Sequence, residues 1–323
     1  MPTTNDISKI ATCTSCQVIE NKSNYWTAVL FFKHSNGSFM RVPQVPNLNT
    51  GKPNGGMTVY YVQTSPEVTA FPPGFRMITG NPYLRTSDSK GPPKVTSFRC
   101  LDPDLTDHNV GQPPGGGPDP VGFPPQRCDG VIRSQTYFPQ CWDGVNVDSD
   151  DHASHIVHPI GPIDPATGLN FYRSVCPDSH PIKTPMILFE TIWDVQPFKD
   201  VWPQDGTQPL VYSMGDPTGF GHHGDYMFGW EGDALQRAMD ICTEFNGDIR
   251  YCKELSVQGD EGINGCTLKG VVNEPIEGYL DRLPGCNPIQ DGPQDATMVE
   301  GCGAISTTIA LSAALQTPVP TNA

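Results

Sequence analysis

A chain of 323 residues is long enough to bury a sizeable core, as one large domain or two ordinary ones. Its net charge of −15, from 20 basic against 35 acidic side chains, argues against nonspecific nucleic-acid binding, which needs clustered Lys and Arg to neutralise phosphates. No apolar run approaches the roughly 18 residues of a membrane span, and 33 glycines with 34 prolines predict turns and long loops rather than a helical bundle.

In chain order, residues 24–45 read as a hairpin. Tyr25 to Phe32 is rich in β-formers, Asn36-Gly37 is a turn signal, and Ser38 to Val42 returns. Met57 to Gln63 predicts another strand and Phe75 to Thr79 a shorter one. From about residue 80 to 127, Gly/Pro clusters predict a long loop, either functional or a surface excursion. Ile132 to Phe138 is a strand. Three histidines then follow at a spacing of three, His152, His155 and His158. In a helical turn neighbouring members share a face, whereas in a strand His152 and His158 share one and His155 takes the other.

Met186 to Asp194 is the clearest strand, with Glu190 and Asp194 on one face. At roughly 3.3 Å per residue they lie about 13 Å apart, beyond the ~5–9.5 Å of a glycosidase carboxylate pair. Pro209 to Met214 is a strand leading into the stretch 215–230, whose glycines and Pro217 argue against a regular helix or a long strand. Asp233 to Glu244 reads as the one clear helix, capped by Asp233, with Leu235, Ala238, Met239 and Cys242 on the buried stripe and Cys242 stapling it to the core. The pattern predicts an all-β or β-rich α+β fold, a disulfide-stapled β-sandwich with long loops, as a single domain over 1–303 with a tail over 304–323.

The cysteines Cys13, Cys16, Cys100, Cys128, Cys141, Cys176, Cys242, Cys252, Cys266, Cys286 and Cys302 are dispersed through polar loops. That spacing predicts a disulfide framework and an oxidising, extracellular setting, with Cys13 and Cys16 as a local pair. The sequons at Asn21 and Asn36 agree with N-linked glycans there. The absence of a signal peptide and the odd cysteine count fit a chain whose beginning lies elsewhere, holding one cysteine's partner.

The chemistry is expected in the polar loops. His155, His180, His223 and Asp225 are the residues expected to converge, with Asp143 or Glu190 as further acid/base carboxylates. Trp142, Tyr226 and Trp230 flank these loops and would serve as platforms for sugar rings. Imidazoles beside a carboxylate suit either a transition-metal ion or general acid/base work near neutral pH. No phosphate-binding loop, dinucleotide fingerprint or Gly-x-Ser-x-Gly elbow is present.

Several stretches together resemble a secreted fungal family known as a domain of unknown function and often attached to WSC carbohydrate-binding modules. They are Cys13-Thr-Ser-Cys16 with Tyr25-Trp-Thr-Ala, Gly74-Phe-Arg-Met-Ile-Thr-Gly-Asn-Pro, Cys141-Trp-Asp-Gly, Asp151-His-Ala-Ser-His155 and Cys176-Pro-Asp-Ser-His-Pro. Gly215-Asp-Pro-Thr-Gly through Gly224-Asp and Leu283-Pro-Gly-Cys-Asn-Pro complete the set. Members of that family begin earlier, with a signal peptide, a cysteine and a His-x-His segment. The resemblance implies a fungal extracellular or cell-wall setting and polysaccharide as partner. The resemblance supplies no activity; for an enzyme, the polar loops with flanking aromatics make hydrolysis of polysaccharide the first expectation. The alternatives are a non-catalytic polysaccharide-binding or structural cell-wall glycoprotein, and a metal-dependent extracellular redox protein.

Overall fold

The computed structural model describes residues 6–46, 55–63, 67–87, 95–102, 119–162, 174–242, 244, 247–268, 270 and 272–299. Among them the strands are β1 (Asn24–Thr27), β2 (Leu30–Lys33), β3 (Phe39–Arg41), β4 (Met57–Val62), β5 (Arg76–Gly80), β6 (Thr96–Leu101) and β7 (Val131–Tyr137). They continue as β8 (Cys141–Trp142), β9 (Ile156–Val157), β10 (Ile182–Lys183), β11 (Met186–Asp194), β12 (Leu210–Tyr212), β13 (His223–Met227) and β14 (Tyr279–Leu280). The helices are short: α1 (Ile7–Ile10), α2 (Ala234–Ile241) and α3 (Asp260–Gly265).

All pairings are antiparallel. A central sheet runs β4-β11-β7-β6, a second β1-β13-β5, a third β12-β2-β3-β14, and a small one β10-β8-β9. Period-two alternation sends Ile187, Phe189 and Trp193 of β11 to one face of the central sheet. Ile187 and Phe189 join Met77, Tyr226 and Phe228 in one core. Trp193, Ile132 and Phe98 join Leu30, Phe32, Leu210 and Tyr212 in another. The second and third sheets therefore both lie against the same face of the central sheet, which makes a β-sandwich of the expected β-rich α+β class.

Position 224 sits where the layers press closest. A Cβ on Gly224 would lie 2.9 Å from the Phe138 ring and 3.0 Å from that of Phe189. Beside it, His222 is buried, stacked on Tyr212 at 5.2 Å between ring centroids, with Nε2 2.8 Å from Thr136 Oγ1. Burial, helped by the neighbouring His223, pushes its pKa down to about 3.

Several expectations need correction. The 24–45 stretch is not one hairpin: β2 and β3 pair through the Asn36-Gly37 turn, but β1 leaves to pair with β13. The loop over 80–127 contains β6, whose residues other than Cys100 are buried; residues 88–94 and 103–118 of that loop lie outside the described residues. The 215–230 stretch holds β13, a central strand of its sheet. Asp233 makes no side-chain cap but pairs with Arg237, whereas Cys242 does staple the helix, through a disulfide to buried Cys252.

Cys13 bonds Cys266 rather than Cys16, because bonds from Gln258 Nε2 to the carbonyls of Thr14 and Cys16 draw the two ends of the chain together. Cys100–Cys128 and Cys141–Cys176 are the other described bridges, Cys286 is also disulfide-bonded, and Cys16 is a free thiol. Cys302 and the tail over 304–323 lie outside the described residues. No helix among the described residues is long and apolar enough to cross a membrane.

Gly224→Ala is expected to lower stability by about 1–3 kcal/mol through overpacking, read as a lower urea midpoint at neutral pH. Because the folded pKa of His222 is depressed from 6.5 to about 3, its contribution is complete above pH 6.5 and is lost as pH falls towards 3. Urea midpoints should drop across that interval, and His222→Gln should be less stable at neutral pH yet fall less steeply.

Candidate functional site

β13 separates its side chains by face. Tyr226 points inward, buried at 1% exposure in the core, while His223, Asp225 and Met227 point outward. Cross-strand register then fixes their neighbours. Asp225 lies opposite Trp26 of β1 and Ile78 of β5, and Met227 lies opposite Asn24 and Arg76. Directly opposed residues share a face, so Trp26, Asp225, His223 and Arg76 form one outer surface. Trp26 is 49% exposed there, which is unusual for a large ring without a partner to cover it.

The segment 147–152 extends this surface along the open edge of β5. Arg76 N donates to Val147 O at 3.0 Å and Ile78 N to His152 O at 2.9 Å. His152 is held in the left-handed region, with φ 52°, a conformation that non-glycine residues seldom adopt without local compensation. The compensation is visible: His152 Nδ1 is 2.5 Å from Asp148 Oδ1, and Asp148 Oδ2 is 3.1 Å from Arg76 Nε. A carboxylate can only accept, so Nδ1 of His152 carries the proton and donates it.

His223 is fixed by the same logic. Its Nδ1 lies 2.9 Å from the Gly221 carbonyl, which can only accept, so Nδ1 carries hydrogen and Nε2 of the neutral ring is left as an acceptor. That Nε2 stands 4.0 Å from Asp225 Oδ2. Burial pushes the Asp225 carboxyl up, while the charges of His223 and then His152 pull it back. Asp225 is thus a partly desolvated carboxyl facing two histidines with assigned tautomers. Such an arrangement can give, hold or take up a proton.

The other expected residues are placed differently. His155 is buried against Phe75, at 5.0 Å between centroids. Ser149 Oγ gives its hydrogen to Asp151 and therefore accepts from His155 Nδ1 at 2.8 Å. Burial pushes His155 down, against the pull of the Arg76 backbone and of Asp148, Asp143 and Asp151. His180 is half-buried, donating from Nε2 to Ser154 O at 3.0 Å and accepting from Ser179 Oγ at 2.9 Å.

Asp143 is an Asx turn, accepting from Val145 N at 2.8 Å and Asn146 N at 2.9 Å. Burial acts to raise it, but these bonds prevail and hold it below the ordinary carboxylate range. Glu190 projects from the opposite face of the central sheet, with a layer of core between it and Asp225. There it meets Arg133 at 3.8 Å and Tyr60 Oη at 3.4 Å. Burial pushes it up, opposed by Arg133 and then Tyr60.

Among the expected ring platforms, Tyr226 and Trp230 belong to the core, where Trp230 Nε1 and Tyr226 Oη both bond Tyr61 Oη, at 2.9 and 3.0 Å. Trp142 is half-buried against Phe75, with Nε1 on Asn146 O at 2.6 Å. Asn21 is buried, its amide bonded to Tyr25 Oη, while Asn36 lies in the exposed β2–β3 turn. Among the described residues no three His, Cys, Asp or Glu side chains meet closely enough to hold a metal ion. His155, His180, His223 and Asp225 accordingly form no such ligand set, since His155 turns into the core and His180 onto the Ser154 carbonyl.

Fold and surface together define a disulfide-stapled β-sandwich protein with a His/Asp cluster on an outer sheet face. The chain belongs to the family described as a domain of unknown function, DUF1996, whose model matches residues 1–230. That span includes every residue of the cluster. No curated protein and no solved structure matches the chain.

Because the Asp225 pKa is raised in the folded state, stability is greatest below its unfolded value and declines as pH rises through the folded one. Asp225→Asn should remove that decline and raise the melting temperature more at pH 7 than at pH 4.

Proposed function

We propose that the protein works outside the cell, in a fungal wall or on plant polysaccharide, and hydrolyses glycosidic bonds at the outer face carrying Asp225. The observation that carries this reading is Asp225 itself, a partly desolvated carboxyl held 4.0 Å from His223 Nε2 and within the field of His152. Protonated Asp225 would donate its proton to the departing glycosidic oxygen, and a solvent proton relayed through His223 Nε2 would then reprotonate it. His152, oriented by Asp148, would take the proton from the attacking water. Trp26, exposed and directly across from Asp225, offers a flat apolar surface for a sugar ring. Four described disulfides fit an oxidising extracellular setting, and exposed Asn36 is the sequon open to an N-linked glycan.

The test is reducing-end release from a panel of wall and plant polysaccharides. Asp225→Asn and His152→Ala should each lower turnover by about 10²–10⁴-fold while the fold, read by circular dichroism, is kept. Activity should fall as pH rises through the elevated Asp225 pKa, since the working form is protonated. Trp26→Ala should instead raise KM about tenfold, the equivalent of ~1.4 kcal/mol, with kcat little changed. Release that is indifferent to Asp225 would overturn the reading. Binding without any release, lost in Trp26→Ala, would establish the second reading, a non-catalytic polysaccharide-binding wall protein, which exposed Trp26 also favours.

A further inference from the structure

A pocket of about 380 Å³ opens between residues 124–127 and 202–208, in the part of the molecule built on the third sheet. It is remote in packing from the His/Asp surface: Trp202 belongs to the core beneath β2 and β12, whereas Tyr226 and Met77 behind Asp225 belong to the other core. Its size falls within the ~300–1,000 Å³ of small-ligand sites.

Its walls mix rigid apolar rings with polar side chains. Trp202 is 5.5 Å from Phe32 between ring centroids, which fixes the indole, and Pro124, Pro125 and Pro203 add surfaces with little conformational freedom. Its polar groups are amides. Gln208 Oε1 accepts from Leu210 N at 2.6 Å, which orients the side chain and leaves Nε2 buried with no partner. A buried N–H donor left unanswered is costly, so this atom marks where an acceptor belongs. Gln204 donates from Nε2 to Trp202 O at 2.9 Å, which leaves its Oε1 to accept. Among the described residues the one cation in the lining, Arg127, is answered by Asp129 at 2.8 Å.

We propose that this pocket is a second carbohydrate site, taking a neutral saccharide whose C–H faces lie on Pro124, Pro125 and Pro203 at the margin of the buried Trp202 and whose hydroxyls meet Gln208 Nε2 and Gln204 Oε1. Hydroxyls act as donor and acceptor together, which is what paired amides require, and the answered charge of Arg127 leaves no counterion for a uronate. The site would hold a chain while the distant surface works on it, so it stands whether or not that surface is catalytic.

The test titrates the protein with laminarihexaose, cellohexaose and a polygalacturonate oligomer, reading side-chain amide and indole NMR signals with calorimetry alongside. A neutral hexasaccharide should shift the Gln208 amide signals. Gln208→Glu keeps the acceptor for Leu210 N but removes the donor, and should weaken binding about fivefold or more. Trp26→Ala and Asp225→Asn should leave the shifts of the Gln208 amide signals unchanged, which separates failure of this site from that of the hydrolytic reading. Shifts confined to Trp26, equal binding by Gln208→Glu, preference for the uronate, or no binding by either neutral hexasaccharide would overturn the proposal.

Discussion

The structure depends on a carboxylate that never reaches solvent. Asp216 is wholly buried, and its oxygens accept from Thr218 N at 2.8 Å, Thr218 Oγ1 at 2.6 Å and Gly221 N at 2.8 Å. Arg85 stands 3.8 Å away and itself donates to the carbonyls of Pro82, Leu84 and Gln290. A buried charge costs several kcal/mol unless its hydrogen bonds are answered. Here the answering groups come from segments far apart in sequence, so one ionic centre ties residues 82–85, 216–221 and 290 together. The loop it shapes ends at Gly221, whose carbonyl holds His223, and β13 begins at that residue. The geometry of the outer His/Asp surface therefore follows from a buried charge.

The two-layer construction then decides which residues meet. Alternation along β13 gives Tyr226 and Gly224 to the core and His223 and Asp225 to the outside, so a shift of one residue in register would exchange chemistry for packing. The same rule sends Glu190 away from Asp225, since it points outward from the far layer while Phe189 and Ile187 fill the space between. Stacked sheets lie about 10 Å apart before side chains on the outer faces are counted. Two carboxylates on opposite outer faces cannot share a substrate, whatever their separate proton affinities.

Much of the fold was legible because long strands announce themselves by period. Met186 to Asp194 is β11 to the residue, and the strands near 57, 76, 131 and 210 agree within a residue or two at each end. β6 was hidden by the proline and glycine clusters around it. β13 was hidden by its own glycine, which reads as a breaker but is required where the Phe138 and Phe189 rings leave no space for a Cβ. In the site, His223 and Asp225 were legible from a polar sequence beside packed elements. Trp26 and Arg76 were not, because only cross-strand register brings them to Asp225, and register is a long-range property. Alternation against half-buried Tyr25 was the one local sign that Trp26 faces outward.

His152 shows why residue type and spacing alone do not tell an outward-facing histidine from a buried one. His152 and His155 lie three residues apart and both stand among Asp and Ser, so composition does not distinguish them. What separates them is the backbone: the left-handed turn at residue 152 reverses the chain, places its carbonyl on Ile78 N and leaves its ring over the edge of β5, while His155 continues into the core. A strained conformation at a non-glycine residue needs compensation from its surroundings, and the Asp148–Arg76 ion pair supplies it while also orienting the ring. Replacing His152 with glycine would relieve the turn and remove the ring. Replacing Asp148 would leave the turn but free the ring to rotate. The two lesions separate the structural role of residue 152 from its chemical one.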